Sequence, residues 1–123
     1  NLVTIPYQAQ CPAGTKPQWN FFAYDSTTPN TSTIDFRVRA ADTQALLAGA
    51  TWKNLGTAQS TPTDTQICSL AGPSPCPLDL FATLGSPDQK RSWIELEVPL
   101  VSGGGGSPVL NTFDATYSCP PSE

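Results

Sequence analysis

"TIDFRVRA", residues 33–40, decides the fold class. Ile34, Phe36, Val38 and Ala40 alternate strictly with Thr33, Asp35, Arg37 and Arg39. A period of two sends successive side chains to opposite faces, which predicts a strand with one buried and one wet face, as in an antiparallel sheet. "SWIELEVPLV", residues 92–101, repeats the pattern: Ile94, Leu96, Val98 and Leu100 point one way, and Trp93, Glu95, Glu97 and Pro99 the other. The two apolar sets are expected in one core.

The remaining segments are shorter. "LVTIPYQ" (2–8) is β-prone, and Pro6 marks it as an edge strand because proline donates no ladder hydrogen bond. In "QWNFFAY" (18–24), alternation places Trp19, Phe21 and Ala23 on one face and Asn20, Phe22 and Tyr24 on the other, which predicts a strand covered on both sides. "TWKNLG" (51–56), the region near 66–70, and "SPVLNTFDATYSC" (107–119) are further strands. "PLDLFATLG" (77–85) reads as a two-turn helix with Pro77 at its start and Gly85 at its C-cap. Six to eight short strands with one short helix predict an all-β, antiparallel β-sandwich forming a single domain over 1–123. Residues 1–10 form an N-terminal edge strand or arm, and 102–107 a Gly-rich hairpin loop.

Composition narrows the function classes. The chain has 123 residues, a net charge of −4 and six Lys and Arg in total. Nucleic acid, whose phosphates need a basic patch, is an unsuitable partner. No apolar run approaches the ~20 residues of a membrane span. Asn1 shows no signal-peptide pattern, so a secreted protein would be in its mature form here. Four cysteines, at 11, 68, 76 and 119, stand in a chain with no histidine and no C-x-x-C spacing. That favours two disulfides in an oxidising compartment over zinc. Cys68 and Cys76 enclose a compact Pro/Gly loop, which leaves Cys11 to pair with Cys119 and tie first and last strands lying side by side. "GGGGS" (103–107) has the composition of a fusion linker. Read as a natural loop, it accounts for cysteine parity and strand order together, and a grafted donor strand is the competing reading.

"FRVRAADT", a mid-domain "W-x-x-L", "W-x-E-L-x-V-x-L" and the closing "P-x-L-x-x-F-x-x-x-Y" carry a resemblance over residues 17–119. They are similar to galactose-binding, discoidin-like jelly-roll modules of bacterial, deltaproteobacterial-type surface proteins. The resemblance implies a secreted, non-catalytic role at the cell surface in adhesion, assembly or glycan contact. It transfers no site residue.

Candidate sites follow from residue chemistry. With no histidine, Ser-His-Asp and Cys-His nucleophilic arrangements are excluded, and no enzyme is expected. Glu95 and Glu97 sit about 7 Å apart on one strand face, a spacing open to a glycosidase pair or to a solvated face. Arg37 and Arg39 have the same spacing, so the four read as cross-strand ion pairs or as part of a ligand surface. Trp93 points away from the buried set, where it either stacks on a sugar or lies under a loop. Trp93, Arg37, Arg39 and Glu95 are therefore the candidate ligand-binding set. Trp19 and Trp52 read as core. Asp25, Asp42, Asp64 and Asp88 are loop carboxylates that calcium could use, but without a D-x-D-x-D pattern no metal or other cofactor is expected. Asn30 opens a glycosylation sequon. Two functions stand: a surface-binding module contacting a glycan or another surface protein, and a filament subunit self-assembling through its N-terminal strand.

Overall fold

The computed structural model describes residues 2–29, 32–59, 65–68 and 77–121, with backbone alone at Leu2, Gln59 and 65–68. Asn30, Asp64, Cys76 and the Cys68 side chain lie outside that description, and with them the Cys68–Cys76 bridge and the sequon. Among the described residues there are eight strands: β1 (Leu2–Gln8), β2 (Gln18–Thr27), β3 (Thr33–Ala41), β4 (Lys53–Gln59), β5 (Thr65–Cys68), β6 (Leu78–Asp79), β7 (Trp93–Val101) and β8 (Val109–Ser118). The described residues also hold one α-helix, α1 (Leu80–Leu84), and two 3-10 turns, Ala45–Gly49 and Asp88–Lys90.

The strands form two antiparallel sheets. The first has the order β1-β7-β3-β4. In the second, β2 is central, with β8 along one edge and β5 and β6 along the other. The alternating faces of β3 and β7 meet in one core: Val38 stands beside Leu96 and Ala40 beside Ile94, and Ile34, Phe36, Ile94, Leu96 and Val98 are all buried. Pro99 has no N–H to offer, and the β3–β7 pairing skips it without changing register.

The two-sided reading of β2 is corrected. Asn20 and Phe21 together oppose Thr116, a bulge that shifts the β2–β8 register between Trp19 and Phe22. The extra residue brings Trp19 onto the same face as Phe22 and Tyr24. All three are buried, while Phe21 turns outward. The Thr116 hydroxyl satisfies the bulged backbone, accepting from Phe21 N–H at 3.1 Å and donating to its carbonyl at 3.3 Å. Trp52 is also corrected. It is half-buried, just before β4, rather than in the core.

The helix is shorter than the 77–85 expected. Leu78–Asp79 pairs with β2 first, and the Asp79 carboxylate caps the helix by accepting from Ala82 N–H at 3.0 Å. Gly85 follows the last turn with a positive φ of 71°.

The glycine segment is not a hairpin between its flanking strands. β7 is already paired on both edges, by β1 and β3, so β8 has no edge to join and crosses to the opposite sheet. Within that crossing, Gly103 and Gly106 exchange backbone hydrogen bonds of 3.1 and 2.9 Å around Gly104 and Gly105. Both central residues have positive φ, 59° and 84°, as a mirror-image two-residue turn requires. Gly106 is needed for a different reason: a Cβ there would lie 2.5 Å from the Pro29 carbonyl oxygen.

One disulfide, Cys11–Cys119, is described, spanning 108 residues with the Cα atoms 5.6 Å apart. It does not join neighbours in one sheet as expected. β1 and β8 are edge strands of opposite sheets, on the same side of the sandwich, and the bridge staples the sheets across that side. No helix among the described residues is long and apolar enough to cross a membrane.

Candidate functional site

The charged face of the first sheet holds the expected ligand set. Register places Arg37 opposite Glu97 and Arg39 opposite Glu95. The Arg37 Nη1 reaches Glu97 Oε1 at 2.9 Å, and the Arg39 Nε donates to Glu95 Oε1 at 2.7 Å. Arg39 also lies over the Trp52 ring, 4.1 Å from its centroid, and Nη1 donates to the Ala48 carbonyl at 3.4 Å. Its planar fork thus meets a carboxylate and an aromatic face together. Trp93 is half-buried at the end of β7, level with Gln8 and Ala41, on the face that carries Glu95. The structure therefore brings Arg37, Arg39, Glu95 and Glu97 together as two closed pairs. Each carboxylate already has a cation.

A second charged group sits at one end of the sandwich. Asp88 accepts from Lys53 at 3.0 Å and from Arg91 Nε at 2.8 Å, and Arg91 Nη1 reaches Asp42 at 2.9 Å. Burial alone would raise the Asp88 carboxyl, but the hydrogen bonds and charges of Arg91 and Lys53 outweigh it and hold the group below the usual carboxylate range. Arg91 is raised in turn, first by its bond to Asp88. Lys53 also donates to the Leu84 carbonyl, which ties β4 to α1. The Arg91 carbonyl accepts from the buried Trp19 Nε1 at 2.8 Å, so the network is linked to the core. Asp42 and Asp88 are thereby committed to cations, and Asp25 accepts from Asn111 at 3.4 Å. Among the described residues, no group of three or more His, Cys, Asp or Glu side chains could hold a metal ion.

The feature that the residue types did not reveal is an apolar cleft. It opens where both sheets end, between β1 and β8, with a volume of about 670 Å³. Val3 and Ile5 come from β1, Val98 and Leu100 from β7, and Val109, Leu110 and Phe113 from β8. None of the described residues that line it is charged. One end of this side is closed: Tyr7, Trp19 and Tyr117 pack with ring centroids 5.1–6.4 Å apart, Tyr117 OH accepts from Gln10 N–H at 2.8 Å, and the disulfide lies beyond. The other end is open. Val3, Phe113 and Val109 there are 42%, 40% and 51% exposed. The sequence signal for this cleft was weak: an uncharged first strand, and a last strand with apolar residues at both parities.

The chain matches no protein-family model, and no curated protein and no solved structure is detectably similar to it.

Proposed function

We propose that this protein is a non-catalytic docking module of an extracellular assembly. Its working surface is the cleft between β1 and β8, where it accepts an extended, uncharged strand of a partner protein. The carrying observation is the combination of apolar lining with strand edges: β1 ends its sheet, β8 pairs only with β2 among the described residues, and both line the cleft. A strand edge supplies backbone hydrogen bonds, and an apolar trough supplies sites for alternate side chains, which is the physics of recognition by strand addition. β8 is the better edge. It runs ten residues without proline and carries one charge, Asp114, whereas Pro6 interrupts β1. Natural edges are usually guarded by charge, proline or brevity, and β8 has little of this.

β1 itself is paired with β7 over seven consecutive positions and anchored just beyond by Cys11. The N-terminal segment therefore acts in this reading as a wall of the acceptor cleft rather than as a free arm for a neighbour. Secretion, a jelly-roll ancestry and a place at the bacterial surface fit the disulfide and the sequence resemblance, and belong to the same proposal.

The test uses a fluorescent synthetic peptide of residues 2–10, which has the uncharged, alternating pattern the cleft requires. Saturable binding, protection of β8 amides from hydrogen exchange, and at least tenfold weaker binding to Val109→Lys are expected. Binding that Val109→Lys leaves unchanged, or no binding by any extended apolar peptide, defeats the reading.

A further inference from the structure

Of the six lysines and arginines, Arg37, Arg39, Lys53 and Arg91 are held in ion pairs. The two that remain, Lys16 and Lys90, have no ion pair among the described residues, and both line the same cavity of about 290 Å³. In a chain of net charge −4, the two cations without an ion pair among the described residues thus line one cavity. From this we infer that the cavity is a binding site for an acidic sugar, with the two lysines receiving its carboxylate.

The remaining walls suit that ligand. Gln8 and Gln10, whose amides are joined by a bond of 3.5 Å from Gln10 Nε2 to Gln8 Oε1, and Ser92 supply the remaining amide and hydroxyl groups for sugar hydroxyls. Asp42 also lines the cavity, but its carboxylate is bonded to Arg91 at 2.9 Å, so the site as a whole is positive. The volume lies at the small end of ligand cavities, which suits a single ring rather than a peptide segment.

The segments carrying the lysines are held in place, although lysine side chains are long and mobile. The loop with Lys16 begins at the Cys11–Cys119 bridge, and Lys16 N–H donates to the Pro120 carbonyl at 3.2 Å. Lys90 ends the 3-10 turn that Asp88 anchors to Lys53 and Arg91. Ser92 is joined to the first segment through its carbonyl, which accepts from Ala9 N–H at 2.9 Å. Two stretches of chain, 8–17 and 88–92, are thus pinned around one cavity before any ligand arrives, which limits the ordering cost of binding. The site stands apart from the apolar cleft and rests on different residues.

The experiment titrates the oxidised, full chain with trigalacturonic acid, its fully methyl-esterified form, and inorganic sulfate, followed by calorimetry. The acid should bind saturably and the ester at least tenfold more weakly. The Lys16→Gln/Lys90→Gln double variant should lose at least tenfold, with its melting temperature unchanged, and Lys16→Arg/Lys90→Arg should retain binding. Val109→Lys should bind the acid like the parent, which separates this site from the cleft. Equal affinity for acid and ester, undiminished binding by the double Gln variant, or no saturable binding of the acid each overturns the inference. Binding of sulfate without the trisaccharide overturns it as well, since the site would then hold only a small free anion.

Discussion

The two edge strands β1 and β8 are bound together at one end and part at the other. At the closed end stand Tyr7, Trp19 and Tyr117, the Gln10–Tyr117 hydrogen bond and the Cys11–Cys119 bridge. At the open end, Val3, Val109 and Phe113 face solvent across a cleft with no charge among its described lining residues. The difference teaches that stability and recognition are separated along one pair of strands. Aromatic burial and a covalent staple hold the sheets together, so the far end need not close on itself.

The largest effect expected is at the staple. Replacing Cys11 and Cys119 by serine frees a loop of 108 residues, and the chain-entropy model puts the loss at about 5 kcal/mol. Urea unfolding of the double variant against the oxidised parent measures it. A loss below about 1 kcal/mol would mean that the rings alone close this end. Trp19→Ala comes next. Trp19 is fully buried and donates to the Arg91 carbonyl, so the change removes a large side chain from the core and leaves that carbonyl without its partner. About 4 kcal/mol is expected, the middle of the range for deleting a buried large aromatic side chain, read from the same unfolding curves.

The core faces of β3 and β7 and the Cys11–Cys119 pairing were legible in the sequence; the ring cluster at the closed end and the cleft at the open end were not. Strict alternation fixed the buried faces of β3 and β7, because a one-residue slip would expose every one of Ile34, Phe36 and Val38. Cysteine parity pointed to Cys11 with Cys119. What alternation cannot carry is a bulge: the residue added at Asn20 and Phe21 puts Trp19 on the other side of β2, and the bulged backbone is satisfied by Thr116, nearly a hundred residues away. Nor can local pattern say which sheet a strand joins. The glycine turn has the local geometry of a hairpin, yet β7 was already occupied on both edges, so β8 crossed over and the cleft arose from that crossing. The charged set misled in a related way. Arg37, Arg39 and Glu95 carry ligand-binding chemistry as residue types, but register turns each toward a partner in its own sheet. Lys16 and Lys90, without an ion pair among the described residues, are far apart in sequence, and only the fold brings them to one cavity.

A smaller effect concerns the network behind Trp19. Asp88 holds Arg91, whose carbonyl receives the Trp19 Nε1, so the carboxylate supports the closed end at one remove. Its pKa is depressed in the folded chain, so its contribution is present above the unfolded value, near 4, and lost as pH falls through the lower folded value. Asp88→Asn should cost about 1 kcal/mol at pH 7, in keeping with a partly exposed ion pair. The gap between parent and variant should narrow as unfolding is repeated at and below about pH 4. A gap that widens on acidification would assign the acid sensitivity to other carboxylates.

The smallest effect is the one that separates the two ends most sharply. Val109 sits at the mouth of the cleft and is 51% exposed, so about half of its surface is already in water before any substitution. Apolar burial contributes roughly 25 cal/mol per Å², and the small area that Val109 hides leaves little to lose. Val109→Ser should therefore change stability by less than about 0.5 kcal/mol, the usual range for a surface position. The same substitution should weaken capture of the apolar peptide, because a hydroxyl then meets the incoming side chains. Stability unchanged with binding diminished is the signature of a surface built for contact. If Val109→Ser instead costs more than about 1.5 kcal/mol in urea melts, a value typical of a buried site, the β1 and β8 walls close on each other in solution. The two ends would then be alike, and the cleft would be core.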